Sequence, residues 1–221
     1  MHYLGIALYA EGPTDYYFLR PFLQRLCEDI CVRESPHNVE FSEVLALDHS
    51  PMTKNFPREQ RILEAAKAAR GVWRVLFVHA DGAGQPARAR EQLVQPAIDL
   101  LQLEMAQDGC GVAVIPIRET EAWALWDGDA LRQVFGTTLT DDDLGLPTSA
   151  NLVEAMPDPK AVLNNAFHAT QPSGRRKRQG VSPMLNALGE QVSLARLRHI
   201  EGFLLLETEL KESLRRLQIL Q

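Results

Sequence analysis

The sequence predicts an α/β protein in which helices flank a mainly parallel sheet, with a helical extension at the C-terminal end. Short apolar runs of strand length alternate with longer stretches whose apolar residues recur at helical spacing. Glycine and proline separate most of these stretches, as is typical between elements. The alternation stops near Gly136, so residues 1–136 are expected to form the α/β core and residues 137–221 an extension packed on it.

The first strand and the first helix have the clearest boundary. Residues 3–9 form a mostly apolar run, which is typical of a strand buried on both faces. Pro13 suits the first turn of the helix that follows, because its missing N–H costs nothing there. That helix carries an apolar stripe from Phe18 to Leu26 at nearly 3.6-residue spacing. Pro21 should kink or restart it.

The remaining core elements follow in alternation. The further strands are apolar runs, and they are predicted at residues 39–47, 72–78 and 112–117. The further helices carry helical periodicity between glycine or proline signals, and they are predicted at about residues 58–69, 86–105 and 121–134. The order β-α-β-α-β-α-β-α favours a doubly wound parallel sheet, in which ligands gather beyond the carboxyl ends of the strands.

The extension has a different composition. An acidic loop at residues 137–147 precedes a short helix that begins at residues 157–160. A basic loop at residues 174–178 precedes two helices in the last 40 residues. The apolar stripe of the last helix can cover the sheet or face a partner, and its spacing is the same in either case.

Composition limits the class of protein. The chain carries 29 acidic and 23 basic residues, a net charge of −6, which argues against a surface that binds nucleic acid everywhere. The three cysteines, Cys27, Cys31 and Cys110, form a poor zinc pattern and suggest buried thiols in a reducing compartment. The sequence shows neither an apolar run that would span a bilayer nor a signal peptide, so a soluble, cytoplasmic protein is expected.

Acidic residues follow three of the predicted strands. Glu11 follows the first strand, Asp81 the third, and Glu119 and Glu121 the fourth. Clustered carboxylates repel one another, and a bound cation offsets that repulsion. Carboxylate oxygens suit Mg²⁺ or Mn²⁺, so these residues are candidate ligands of a divalent metal. Glu119 and Glu121 would point the same way only if the strand extends that far.

Each of these acids also has a structural interpretation. Glu11 can stabilise the N-terminus of the next helix through the helix dipole. Asp81 before Gly82 is an ordinary turn residue, and Glu119 can lie in the first turn of the following helix. The coincidence of three strand ends in one sheet favours the metal site.

Three short motifs resemble those of the Toprim fold, which topoisomerases, primases and nucleases of the OLD (overcoming lysogenisation defect) type share. The motifs are Glu11-Gly12-Pro13-Thr14-Asp15, His79-Ala80-Asp81-Gly82 and Glu119-Thr120-Glu121-Ala122-Trp123. The chain also resembles an uncharacterised bacterial family of Toprim-like domains of unknown function, including Pro159-Lys160 and the last helices with Phe203. The resemblance implies a mainly parallel, Toprim-like (Rossmann-like) sheet.

The resemblance also implies a divalent-metal site for phosphoryl transfer or phosphodiester cleavage. Glu11 would be a metal ligand or general base, and Asp81 would hold Mg²⁺ or Mn²⁺, which makes both catalytic residues. Glu119 or Glu121 would complete one or two ion sites. Toprim nucleases of this kind often work beside an ATPase in defence against phage, so an ATPase partner is expected by analogy alone.

The second motif departs from the Toprim pattern. Toprim domains carry Asp-x-Asp at this strand end. In the chain either His79 replaces the first acid, in His79-Ala80-Asp81, or the frame is Asp81-Gly82-Ala83 and the second acid is missing. His79 reduces the negative charge available for Mg²⁺, although histidine binds Mn²⁺ or another transition metal more readily. His79 is therefore a candidate metal ligand or, alternatively, a buried residue hydrogen-bonded to a neighbour.

Basic residues of the extension are candidates for contacts with nucleic acid. The run Arg175, Arg176, Lys177 and Arg178 suits phosphate contacts, and Lys160 could reach a phosphate as well. Each is equally an ordinary solvated side chain. Two hypotheses follow: a metal-dependent nuclease or related phosphotransfer enzyme, or a catalytically inactive Toprim-like module that binds a protein partner or nucleic acid. A small-molecule phosphatase is less favoured, because no Asp-x-Asp nucleophile pair follows a predicted strand.

Overall fold

A computed structural model describes residues 2–221 and shows parallel strands flanked by helices. The strands are β1 (His2–Leu4), β2 (Ile6–Tyr9), β3 (Val39–Phe41), β4 (Leu45–Ala46), β5 (Val75–His79) and β6 (Cys110–Val114). The helices of the first two thirds are α1 (Asp15–Glu34), α2 (Arg58–Ala68), α3 (Pro86–Ala89), α4 (Gln95–Met105), α5 (Glu121–Leu125) and α6 (Gly128–Phe135). The later helices are α7 (Ala150–Ala155), α8 (Pro159–Ala169), α9 (Gly174–Gln179), α10 (Leu185–Gln191), α11 (Leu194–Leu197) and α12 (Glu201–Arg216).

The sheet confirms the predicted α/β class. Its four strands lie in the order β4-β2-β5-β6, and all neighbours run parallel. A parallel pair, β1 and β3, forms a separate two-stranded sheet. Strands β2 and β5 are neighbours in the main sheet, and both are completely buried. Their carboxyl ends therefore meet at one edge of the sheet.

Two predicted strands are each divided in the structure. The first is interrupted at Gly5, where an added Cβ would lie 2.0 Å from the Val72 carbonyl oxygen. The second is interrupted between Phe41 and Leu45, where the Ser42 hydroxyl accepts a hydrogen bond from Ile6 N at 2.9 Å. Both breaks depend on contacts distant in sequence, so periodicity alone could not place them.

The last strand of the sheet is shorter at its carboxyl end than predicted. Strand β6 ends at Val114, and residues 115–118 pair instead with the loop after β5. Gly82 N donates to Pro116 O at 3.0 Å, and Gly84 N donates to Ile117 O at 2.7 Å. An added Cβ at Gly82 would lie 2.4 Å from Pro116 O, so only glycine permits this approach. These bonds fix the loop that carries Asp81.

The helices of residues 1–136 differ from the prediction at three places. Helix α1 continues through Pro21 instead of restarting. The predicted helix 86–105 contains a π-helical turn at Arg90–Val94 between α3 and α4. The predicted helix 121–134 is two helices, because Asp127 leaves the helical conformation and accepts a hydrogen bond from Ala130 N as the N-cap of α6.

Asp127 also joins the core to the extension, and its removal should destabilise the protein. The other carboxylate oxygen accepts a hydrogen bond from Ser193 N at 2.8 Å, and the residue is 3% exposed. We expect Asp127→Ala to lower the free energy of unfolding by about 1–2 kcal/mol, because a cap and a partly buried amide lose their acceptor. Urea denaturation measures the change. Asp142→Ala, at an exposed position, is the matched control, and an equal effect of both variants would contradict the role of Asp127.

The apolar core lies on both faces of the sheet. One cluster packs α1 and the C-terminal helices against one face, and a second packs α2 and α4 against the other. Helix α12 covers the edge of the sheet at β6, where Glu209 Oε1 accepts a hydrogen bond from Ala113 N at 2.9 Å. The extension therefore shares the hydrophobic core of the sheet. Within residues 2–221, no helix combines the length and apolar character needed to span a bilayer.

Candidate functional site

The structure brings Glu11 and Asp81 together. Glu11 follows β2, and Asp81 follows β5, the adjacent strand. The Glu11 Oε2 atom accepts a hydrogen bond from Asp81 N at 3.0 Å. Glu11 is exposed to solvent, and the Asp81 side chain is partly buried, with 32% of its surface exposed. The two predicted catalytic acids therefore lie next to each other, within reach of solvent.

Asp15 belongs to the same group, although the sequence interpretation assigned it no role. Asp15 is the first residue of α1, and its Oδ2 atom accepts a hydrogen bond from Gly12 N at 2.8 Å. Burial raises the pKa of Asp15, and the charges of Asp81 and Glu11 raise it further, whereas His79 lowers it. The signal was present, since Asp15 is the last residue of the first motif.

His79 lies between these acids and is completely buried. Its Nδ1 atom is 3.4 Å from Glu11 N, which donates to it, and 3.7 Å from Asp15 Oδ2. Its Nε2 atom is 3.2 Å from Thr120 Oγ1 and 3.4 Å from Asp81 Oδ1. Both ring nitrogens face protein atoms, so a metal bound to His79 would have to displace one of these contacts. In this arrangement His79, the last residue of β5, contacts the segments that follow β2 and β6.

One oxygen of Asp81 lacks a hydrogen bond. The Oδ1 atom is buried, and within residues 2–221 it has no hydrogen-bond partner. The His79 Nε2 atom lies 3.4 Å away. A buried carboxylate oxygen without a donor is costly, and a cation or ordered water satisfies such an atom in native proteins.

The two acids that follow β6 occupy different positions. The pairing expected for an extended segment does not form, because β6 ends at Val114 and Glu121 begins α5. Glu121 is 9% exposed. Burial raises its pKa, and the charges of Glu119 and Asp15 raise it further. A hydrogen bond from its own backbone N–H and the charge of Lys160 lower the pKa by less. The Glu119 Oε2 atom accepts a hydrogen bond from Lys160 N at 3.2 Å. Glu121 is thus close enough to Asp15 for its pKa to respond to that charge, and Glu119 accepts a backbone N–H in the first turn of α8, whose N-cap is Asp158.

The donor chemistry fits a hard divalent cation. Across the described residues, no three histidine, cysteine or acidic side chains are already arranged around one point as a metal cage. Mg²⁺ needs fewer protein ligands, since it is usually held by one or two carboxylates and keeps several waters. Glu11 and Asp81 supply such a pair, and the buried Asp81 Oδ1 atom provides a free acceptor. Asp15 and Glu121 add negative charge around it.

The predicted nucleic-acid residues are divided between two places. Lys160 is exposed at the start of α8, beside Glu119 and close enough to Glu121 to affect its pKa. The predicted basic loop is the short helix α9, on which Arg175, Lys177 and Arg178 are exposed.

Arg176 is held against the protein. Its guanidinium donates a hydrogen bond to Phe135 O and lies 5.4 Å from the centre of the Phe167 ring. Phe167 lies two helical turns beyond Lys160 on α8, a rise of about 10 Å. Arg176 therefore anchors α9 beside Phe167.

Comparisons with known proteins give no match. No protein-family model matches the chain, and neither a curated protein nor a solved structure does. The likeness to Toprim domains therefore stays a prediction from three short motifs. Function has to be argued from the side chains at the sheet edge.

Proposed function

We propose that this protein is a divalent-metal-dependent hydrolase of phosphodiester bonds in nucleic acid, with its active centre at Glu11 and Asp81. The observation that carries the proposal is the pairing of these two acids at adjacent strand ends, with one Asp81 oxygen buried and lacking a donor. Ligands of open α/β sheets bind at this edge. The Toprim resemblance supports the same chemistry.

Electrostatics at the sheet edge favour a cation. Glu11, Asp15, Asp81 and Glu121 contribute four carboxylates, and the pKa values of Asp15 and Glu121 are raised by burial and by neighbouring acids. His79 is the one histidine among them, and it already contacts three of the neighbouring residues. Carboxylates gathered without a counter-charge repel one another. A divalent cation offsets that repulsion and explains why the fold gathers them.

The chain's own residues have distinct roles in this proposal. Glu11 and Asp81 would hold the cation, which would stabilise charge on the phosphoryl oxygens. The exposed Glu11 carboxylate can also accept a proton from an attacking water. The His79 ring, held between Thr120 and the Glu11 backbone, lies 3.4 Å from Asp81 Oδ1 without a hydrogen bond to it. In this scheme His79 would position the Glu11 backbone.

The substrate class follows from the basic side chains. Lys160 lies beside Glu119, and α9, which Arg176 holds against Phe167 of α8, carries the exposed Arg175, Lys177 and Arg178. Such side chains contact phosphates without reading the base sequence. A chain of net charge −6 then binds nucleic acid through this local surface and not through its whole surface.

The exposed residues of α9 provide a test of this surface. We expect the combined variant Arg175→Gln, Lys177→Gln and Arg178→Gln to weaken nucleic-acid binding about tenfold at low salt and to flatten its salt dependence, because fewer counterions are released. Fluorescence anisotropy at several salt concentrations measures both. The control removes three exposed charges elsewhere (Arg70→Gln, Arg74→Gln and Arg215→Gln). Equal weakening by both combined variants would contradict a local surface.

The activity itself is tested by incubating the whole protein with plasmid, linear and single-stranded DNA and with RNA, in Mg²⁺, Mn²⁺ or EDTA. Cleavage that requires a divalent cation supports the proposal. Binding of nucleic acid by folded protein without cleavage under all these conditions would overturn it and favour the inactive binding module.

A further inference from the structure

A cavity adjoins the acid cluster on the side of α2. Its volume is about 390 Å³, and it lies between the end of β2, the segment after β4 and the first turns of α2. Five side chains are important for its chemistry: Tyr9, Glu11, Tyr16, Arg58 and Arg61. Because Glu11 belongs both to this cavity and to the acid pair, a group bound in the cavity would lie next to the proposed metal centre.

Arg58 is fixed at this cavity without a carboxylate partner. Its Nη2 atom donates to His79 O at 2.6 Å, and its Nε atom donates to Leu93 O at 3.1 Å. Its guanidinium also lies 5.7 Å from the centre of the Tyr9 ring. In the described part of the chain, no carboxylate oxygen comes within 4.0 Å of its nitrogens. Carbonyl oxygens orient the guanidinium but leave its charge uncompensated.

Arg61 is one turn further along α2 and lines the same cavity. Its Nε atom is buried, and within residues 2–221 it has no hydrogen-bond partner. Arg61 likewise forms no ion pair with a described residue. A buried N–H group without an acceptor is unfavourable, and the unpaired guanidinium of Arg61, which lines the cavity, is available to an anionic ligand there.

Two carboxylates also line the cavity, and neither neutralises the arginines. Asp48 has a side chain that is 86% exposed, and its Oδ1 atom lies 3.0 Å from His49 Nδ1. The Glu11 carboxylate accepts the Asp81 N–H. Tyr9 OH, 3.4 Å from His49 Nδ1, adds a neutral polar group. The cavity thus combines two arginines, of which Arg58 is held by hydrogen bonds, with hydroxyl and imidazole groups, a set that suits a tetrahedral oxyanion.

We propose that this cavity binds a phosphate group through Arg58 and Arg61. The inference deepens the proposed function and rests on it in one respect: the bound phosphate would belong to the substrate strand, adjacent to the phosphodiester at the metal centre. Two sources share this chemistry, a terminal phosphate and an internal phosphate of the strand. Arg61 offers the cleaner test, because Arg58 also holds the backbone at His79 and Leu93.

The experiment measures binding without metal, so that it is independent of cleavage. The whole protein in EDTA is titrated with inorganic phosphate at constant ionic strength, and its thermal unfolding is followed. It is also titrated with matched oligonucleotides that carry a 5′-phosphate or a 5′-hydroxyl. Arg61→Gln is compared with Arg74→Gln, which removes the same charge at an exposed position before β5, at the opposite end of the sheet.

We expect phosphate to raise the unfolding temperature of the parent protein and of Arg74→Gln equally. In Arg61→Gln at least about four fifths of that increase should be lost. Fivefold or greater weakening of oligonucleotide binding in Arg61→Gln should accompany it. Weakening confined to the 5′-phosphorylated strand assigns a terminal phosphate, and equal weakening for both strands assigns an internal one. Unchanged binding in Arg61→Gln, or no response of the parent protein to any of these probes, would overturn the inference. If the parent protein binds phosphate through Arg61 but cleaves no nucleic acid with any metal, the nuclease proposal is rejected and the phosphate site is retained.

Discussion

Glu11→Gln and Asp81→Asn should each reduce metal-dependent cleavage at least about 10³-fold, because a metal ligand supplies several kcal/mol of transition-state stabilisation. Both substitutions remove a charge and keep the size of the side chain. The Glu11→Gln variant also retains an oxygen that can accept the Asp81 N–H. The loop after β5 should therefore keep its position in Glu11→Gln. A large loss of activity would then reflect the missing negative charge at the proposed metal site.

The matched control and a second measurement separate this effect from misfolding. Glu91→Gln removes one carboxylate at an exposed position in the π-helical turn after α3 and should cleave like the parent protein. Stabilisation of the parent by Mn²⁺ in thermal unfolding should disappear in Asp81→Asn, because that variant lacks the negative charge of a proposed metal ligand. Full activity of both acid variants would remove Glu11 and Asp81 from the active centre.

The acid pair could be predicted from the sequence for a simple reason. Glu11 and Asp81 each follow an apolar run, and the carboxyl ends of neighbouring parallel strands meet at one edge. Nothing in the spacing showed that β2 and β5 would be neighbours, and the pairing of Glu119 with Glu121 failed where it needed a longer β6. Local pattern gave the positions of the acids along the chain, and strand order decided which of them meet.

The cavity with Arg58 and Arg61 had no signal in the sequence. Both arginines lie on a helix of ordinary amphipathic pattern, where a basic residue is usually solvated. Arg58 becomes significant because its side chain reaches His79 O, and this contact joins α2 to the end of β5. Arg61 becomes significant because its Nε atom is buried. Such facts depend on tertiary packing, which periodicity does not encode.

The second large effect concerns the ion network that holds the extension to the core. Glu207 on α12 is 5% exposed and accepts hydrogen bonds from Arg198 at 2.9 Å and Arg33 at 3.2 Å. Arg33 lies in α1 and also bonds Asp29, which Arg198 contacts as well. The network therefore connects α12, the segment before it and the helix that begins at Asp15.

Glu207→Ala should lower the free energy of unfolding by about 2–3 kcal/mol, below the 3–5 kcal/mol of a fully buried pair, because both arginines keep partial access to water. The Arg33 and Arg198 side chains are 41% and 28% exposed. Urea denaturation at pH 7 measures the change. Glu212→Ala, on the exposed face of the same helix, is the control and should change stability by less than about 0.5 kcal/mol.

The pH dependence of this difference distinguishes an ionic contribution from lost packing. Burial opposes ionisation of Glu207, but hydrogen bonds from Arg198 and the charges of Arg198 and Lys211 outweigh it and lower the pKa of Glu207. Because the folded-state pKa is below the unfolded value of about 4.3, the ionic contribution is complete above that pH and is lost as the pH falls through the folded-state pKa. The difference between parent and Glu207→Ala should therefore shrink steadily below about pH 4.3. A difference that stays constant down to the acid limit would assign the effect of Glu207 to packing alone.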